Sequence, residues 1–144
     1  MTAADVLAID TSVAVPLLVA SHEHHAQVAA WARGRTLRLS GHSLAETYAV
    51  LTRLPGDARV SAPDAVTLID DNFGQPLVLS ARGARRCHQE CASNGVTGGA
   101  TYDALVALAA REHSVALATR DARARSTYEA IGVPVEQLPV HIAD

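Results

Sequence analysis

The order of apolar and polar segments predicts an α/β fold, a three-layer sandwich with helices on both faces of a central, mostly parallel sheet of four to five strands. Two observations carry this. Short apolar runs recur along the chain with helical patterns between them, as strand–helix–strand units require. No internal repeat, low-complexity segment or linker interrupts the alternation, so residues 1–144 read as one domain.

The elements follow in order. "VLAI" (6–9) is the first strand. A helix runs from about Ser12 through "VAVPLLVA", with Pro16 early enough to be tolerated. "HEHHAQVAAWARG" (22–34) is a second helix, closed by Gly34. "TLRLS" (36–40) is a strand. "SLAETYAVLTRL" (43–54) is an amphipathic helix stopped by Pro55-Gly56. "APDAVTLIDDNF" (62–73) is a helix with Pro63 near its start. "PLVLS" (76–80) reads as a third strand, with Ser80 capping a helix over "ARGARRCHQECASNG". The loop "GVTGG" leads into the helix "TYDALVALAAREH", then the strand "VALAT" (115–119), the helix "ARARSTYEAIG" and an edge strand in "VPVEQL".

Composition bounds the function. Aromatics make up 3% of a chain that is 49% hydrophobic, so Ala, Val, Leu and Ile must build the core. The formal net charge of −3 is not that of a general nucleic-acid coating protein. Every basic side chain is arginine, which excludes mechanisms that need a lysine. No signal peptide and no membrane-spanning run is evident. Cys87 and Cys91 lie four apart without a second pair, and read as reduced thiols rather than a zinc site.

The acids carry the chemistry. Asp10 ends the first strand and Asp121 follows "VALAT". Glu46 and Asp103 fall in the first turns of helices that start at the carboxyl edge of the sheet. Each alone has an ordinary role: Asp10 and Asp121 as helix caps, Glu46 in a capping box with Ser43, Asp103 against a helix dipole. Jointly they bring four carboxylates to the edge where open α/β sheets bind ligands. Four such charges repel, and without lysine the economical partner is a hard divalent ion, Mg²⁺ or Mn²⁺. One or two such ions suit phosphodiester hydrolysis. Asp10 and Asp103 would be the principal ligands, Asp121 would hold a second ion or an outer water, and Glu46 would orient the attacking water or share a metal. Thr11, Ser12 and Thr119 place hydroxyls nearby. Arg120 and Arg123 sit where RNA phosphates would approach.

At these residues the chain resembles the PIN domain, specifically the VapC toxins of VapBC toxin–antitoxin pairs. The matching pieces are "IDTSV", "HSLAETYAVLTRLPG", "GGATYDALVALAAREH" and "LATRDARARSTYEAIGVPVE". They span nearly the whole chain in order. The resemblance implies a PIN-like sandwich and an Mg²⁺- or Mn²⁺-dependent endoribonuclease acting on tRNA or ribosomal RNA. It also implies a cytoplasmic homodimer, neutralised by a VapB-type antitoxin and meeting operator DNA only through it. The rival expectation is a non-catalytic PIN-like module that acts with an antitoxin as a transcriptional co-repressor. A haloacid-dehalogenase-like phosphatase fits poorly, because Ser12 stands where its second Asp belongs.

"HEHH" (22–25) reads as solvated surface, and so do Arg82, Arg85 and Arg86. The tyrosines are too scattered for a base-stacking platform; Tyr48 and Trp31 read as core or dimer contacts.

Overall fold

The computed structural model describes residues 6–139. Four strands, β1 (Val6–Ile9), β2 (Thr36–Leu39), β3 (Leu117–Thr119) and β4 (Val135–Gln137), form one sheet in the order β2-β1-β3-β4. Every pair is parallel. The helices are α1 (Thr11–Leu18), α2 (His25–Ala32), α3 (Ser43–Thr52), α4 (Ala62–Asn72), α5 (Ala81–Ser93), α6 (Ala100–Glu112) and α7 (Ala122–Ile131).

Successive strand residues point to opposite faces, and the sheet sorts its apolar residues accordingly. Leu7, Ile9, Leu37, Leu39 and Ala118 pack with Val13, Val28, Leu51 and Ile69 on one face. Ala8 and Leu117 pack with Val106, Leu108, Tyr128 and Ile131 on the other. The three-layer expectation holds, with α1 to α4 supplying one core and α5 to α7 the other.

Register does the positioning. Ile9 pairs with both Leu39 and Ala118. The residues one step further on, Asp10, Ser40 and Thr119, therefore leave the sheet side by side at its carboxyl edge. Three helices start close behind them.

Three expectations need correction. The segment 76–80 is not a strand: only Leu77 bridges to Ser40, through Leu77 N–H to Leu39 O at 2.8 Å and Gly41 N–H to Leu77 O at 2.8 Å. Ser80 then turns away to bond Glu112 and cap α5, which leaves no run for a ladder. The helix placed at 22–34 begins at His25, because the His24 amide donates to His22 Nδ1 and closes a turn first. The capping box is absent: His42 is the N-cap of α3, Ser43 lies inside the helix, and no side-chain cap bond forms.

Candidate active site

Asp10 caps α1 and is 5% exposed. A buried carboxylate needs donors, and this one has four. Oδ1 accepts from Ser12 N–H at 3.0 Å and Ser12 Oγ at 2.6 Å. Oδ2 accepts from Thr119 Oγ1 at 2.6 Å and Tyr128 Oη at 2.7 Å. Both smaller hydroxyls are themselves fixed: Arg120 N–H donates to Ser12 Oγ at 2.8 Å, and Asp121 N–H to Thr119 Oγ1 at 3.0 Å. The Thr119–Asp121 corner is thus tied to Asp10 through two hydroxyls.

Pro16 contributes to the same corner. A proline inside a helix has no N–H for the carbonyl four residues back, here that of Ser12. The Ser12 carbonyl instead accepts from the Arg120 guanidinium at 3.3 Å.

Asp121 caps α7, its Oδ1 accepting from the amides of Arg123 and Ala124 at 2.9 and 3.3 Å. Glu46 and Asp103 cap nothing. Both lie in first turns whose N-caps, His42 and Gly99, make no side-chain bond. The helices that carry them meet at Gly41, whose φ of +53° suits glycine. A Cβ there would lie 2.7 Å from the Leu105 carbonyl oxygen. Ser40 Oγ donates to Val106 O at 2.8 Å beside it. Here α6, which carries Asp103, packs against the corner that leads into α3 and Glu46.

All four acids line one cleft of about 190 Å³, with Thr11, Ser12, Ser43, Val106, Ala124 and Tyr128. No cationic side chain is among these lining residues. Burial first, then the charges of Asp121, Asp10 and Glu46, push the Asp103 carboxyl up to about 6, against a smaller opposing pull from His42. Burial also raises Asp10, against the opposing pull of its hydrogen bonds. The donor set is all hard oxygen, the chemistry that suits Mg²⁺ or Mn²⁺. Among the described residues no three His, Cys, Asp or Glu side chains form a ready-made ion cage. An ion would have to draw these carboxylates together.

The auxiliary residues divide. Ser12 and Thr119 hold Asp10, as above. Thr11 turns from the acids toward α3, contacting Ser43 O and Thr47 Oγ1 at 3.4 and 3.2 Å. Arg120 is anchored at the rim, and Arg123 is exposed beside Asp121. Tyr128 was missed in the sequence; Asp121, Ala124 and Tyr128 are spaced i, i+3, i+7 on α7, and that one-face spacing was the available signal. His22, His24 and His25 are half-buried rather than solvated, with His25 Nδ1 2.9 Å from Pro16 O. Cys87 and Cys91 are free thiols.

The model of the PIN domain matches residues 7–130. The chain belongs to the PIN-domain family. Within it the chain falls in the VapC group. It is 57% identical over 129 residues to Ribonuclease VapC27 of Mycobacterium tuberculosis, covering 90% of this chain and 94% of that protein. It is 45% identical to Ribonuclease VapC40 of the same species, over 90% of this chain and 97% of that one. Among solved structures it superposes on a chain of VapBC2 from Rickettsia felis, bound there to a DNA fragment from its promoter, with a TM-score of 0.63. At 15% identity, over 93% of this PIN chain and 99% of the other, that likeness concerns the fold. Among the described residues no helix is long and apolar enough to cross a membrane.

Proposed function

We propose that this PIN domain is the toxin of a type II toxin–antitoxin pair. In this reading it is an endoribonuclease that hydrolyses RNA with Mg²⁺ or Mn²⁺ held by Asp10, Glu46, Asp103 and Asp121. One observation carries the reading: four carboxylates from separate elements line one cleft, and none of the residues that line it is cationic. The names of the VapC relatives support the activity. A bound divalent ion supplies a water of lowered pKa and stabilises charge on phosphate oxygens.

The chain's own groups divide the remaining work. Asp10 is held in one orientation by four donors, which favour its charged form against the effect of its burial. Asp121 spends Oδ1 on the α7 amides and keeps Oδ2 for an ion or its water. Asp103 and Glu46 are free of capping duty, Asp103 to ligate and Glu46 to orient the attacking water. Arg120 and Arg123 at the rim would meet the phosphates that flank the scissile bond. The substrate class is structured RNA, tRNA or ribosomal RNA. The partners are a VapB-type antitoxin and a second copy of this chain, with operator DNA reached only through the antitoxin.

The test is cleavage of structured RNA by the purified chain with Mn²⁺, with EDTA, and with an Asp10→Ala variant. Cleavage should require the ion and should vanish in the variant. An intact chain that cuts nothing, yet holds operator DNA with its antitoxin, would make it a co-repressor module instead.

A further inference from the structure

The carboxylate of Asp10 accepts four hydrogen bonds, two at each oxygen, so a cation that binds it must take the place of one of the four donors. Three of the donors are local to the sheet edge. Ser12 lies in Asp10's own turn, and Thr119 lies beside Asp10 because Ile9 pairs with Ala118. The fourth, Tyr128, reaches in from α7 across 118 residues of sequence.

Tyr128 is 1% exposed and belongs to the apolar core with Val106, Ala124 and Ile131. Packing alone would be served by phenylalanine, since a buried phenol is tolerated only when its hydroxyl finds a partner. Here the partner is a cleft acid, and Tyr128 lines that cleft with it. The terminal torsion of an aspartate is soft. Ser12 holds Oδ1 from the first turn of α1 and Thr119 holds Oδ2 from the end of β3, while Tyr128 pins Oδ2 from α7.

We propose that Tyr128 is a positioning residue: its hydroxyl fixes the carboxylate of Asp10 in the orientation that receives a divalent cation. The proposal rests on the metal reading of the cleft. It assigns Tyr128 no contact with substrate. Outer partners that orient a ligand typically contribute 10- to 100-fold to metal affinity, and the effect of this hydroxyl falls in that range.

The experiment is calorimetric titration of the full chain with Mn²⁺ alone, comparing wild type, Tyr128→Phe and Ile131→Val. Melts without metal confirm that each variant is folded. Tyr128→Phe should bind Mn²⁺ about 10- to 100-fold more weakly. Ile131→Val trims the same core without touching a cleft acid, so it should lower the melting temperature and leave Mn²⁺ affinity unchanged. Equal weakening in both variants would reduce Tyr128 to a packing residue. Tyr128→Phe binding as tightly as wild type, or more tightly, would overturn the proposal while leaving the metal site standing. A wild-type chain that binds no Mn²⁺ would overturn both.

Discussion

Two clefts of similar size differ in whether every acid is answered. One, of about 210 Å³, lies between α5 and α6 and is lined by Ser80, Arg82, Arg86, Glu90, Arg111 and Glu112. There each carboxylate is answered. Glu90 meets Arg111 at 3.1 Å, and Glu112 accepts from Ser80 N–H and Oγ at 2.8 and 2.6 Å. Those bonds hold the Glu112 carboxyl below its ordinary range. In the cleft at the carboxyl edge, Asp103 sits among three other acids and is raised to about 6. Acids that gain partners serve stability, and acids left to repel one another mark a place where the fold accepts a cost for chemistry.

The largest expected break in this contrast is catalytic. Asp103→Asn should reduce RNA cleavage by more than the roughly 100-fold that loss of a supporting partner can cost, measured as fragment release with Mn²⁺. Ser80→Ala should cleave as wild type does. It removes the side-chain cap of α5 and the hydroxyl donor to Glu112 while the Ser80 backbone N–H bond stays, a loss of about 1 kcal/mol. That would appear as a melting temperature lower by about 3 °C.

A smaller effect sharpens the comparison through ligand linkage. Mg²⁺ at about 100 times its Kd should stabilise the wild type by about 2.7 kcal/mol, seen as a higher melting temperature. Ser80→Ala should keep that gain and Asp103→Asn should lose most of it. No shift in wild type at millimolar Mg²⁺ would sink the ion-binding reading of the edge cleft.

The smallest effects are in pH dependence without metal, and the two clefts should differ in sign. The folded Asp103 carboxyl, at about 6, holds its proton more tightly than the unfolded group near 3.8. Between those values the folded state binds more protons, so this group's contribution to stability is lost as pH rises toward 6 and above. Glu112 is shifted down from about 4.5, so its contribution is present above that value and lost as pH falls below it. Urea midpoints from pH 3 to 7 would separate them. Asp103→Asn should lessen the decline on the neutral side, to which the raised Asp10 also contributes, and Glu112→Gln should flatten the acid side.

Much of the fold was legible because buried parallel strands advertise themselves as short apolar runs. "VLAI" and "TLRLS" each match an observed strand within a residue, with the latter ending at Leu39. "PLVLS" misled because a single bridging residue flanked by apolar neighbours has the same composition as a strand; pairing depends on the partner's path, which local sequence does not encode. The four acids were legible from their places after strands and in first helical turns. The status of each was not. Ser43 to Glu46 satisfies a capping box on paper, but the chain enters α3 one residue earlier, at His42, and frees the glutamate. Tyr128 was hidden for another reason: its function depends on a contact across 118 residues, and in isolation it is one more aromatic on an amphipathic helix.

The seam at Gly41 has a consequence for anyone wishing to alter this molecule. It behaves as a zero-thickness shim between the β2–α3 corner and α6, with a carbonyl oxygen where any side chain would begin. Even a methyl group would act as a wedge and splay apart the supports of Glu46 and Asp103. A change at Gly41 would therefore disturb the footing of two cleft acids while leaving their carboxyl groups chemically as they are.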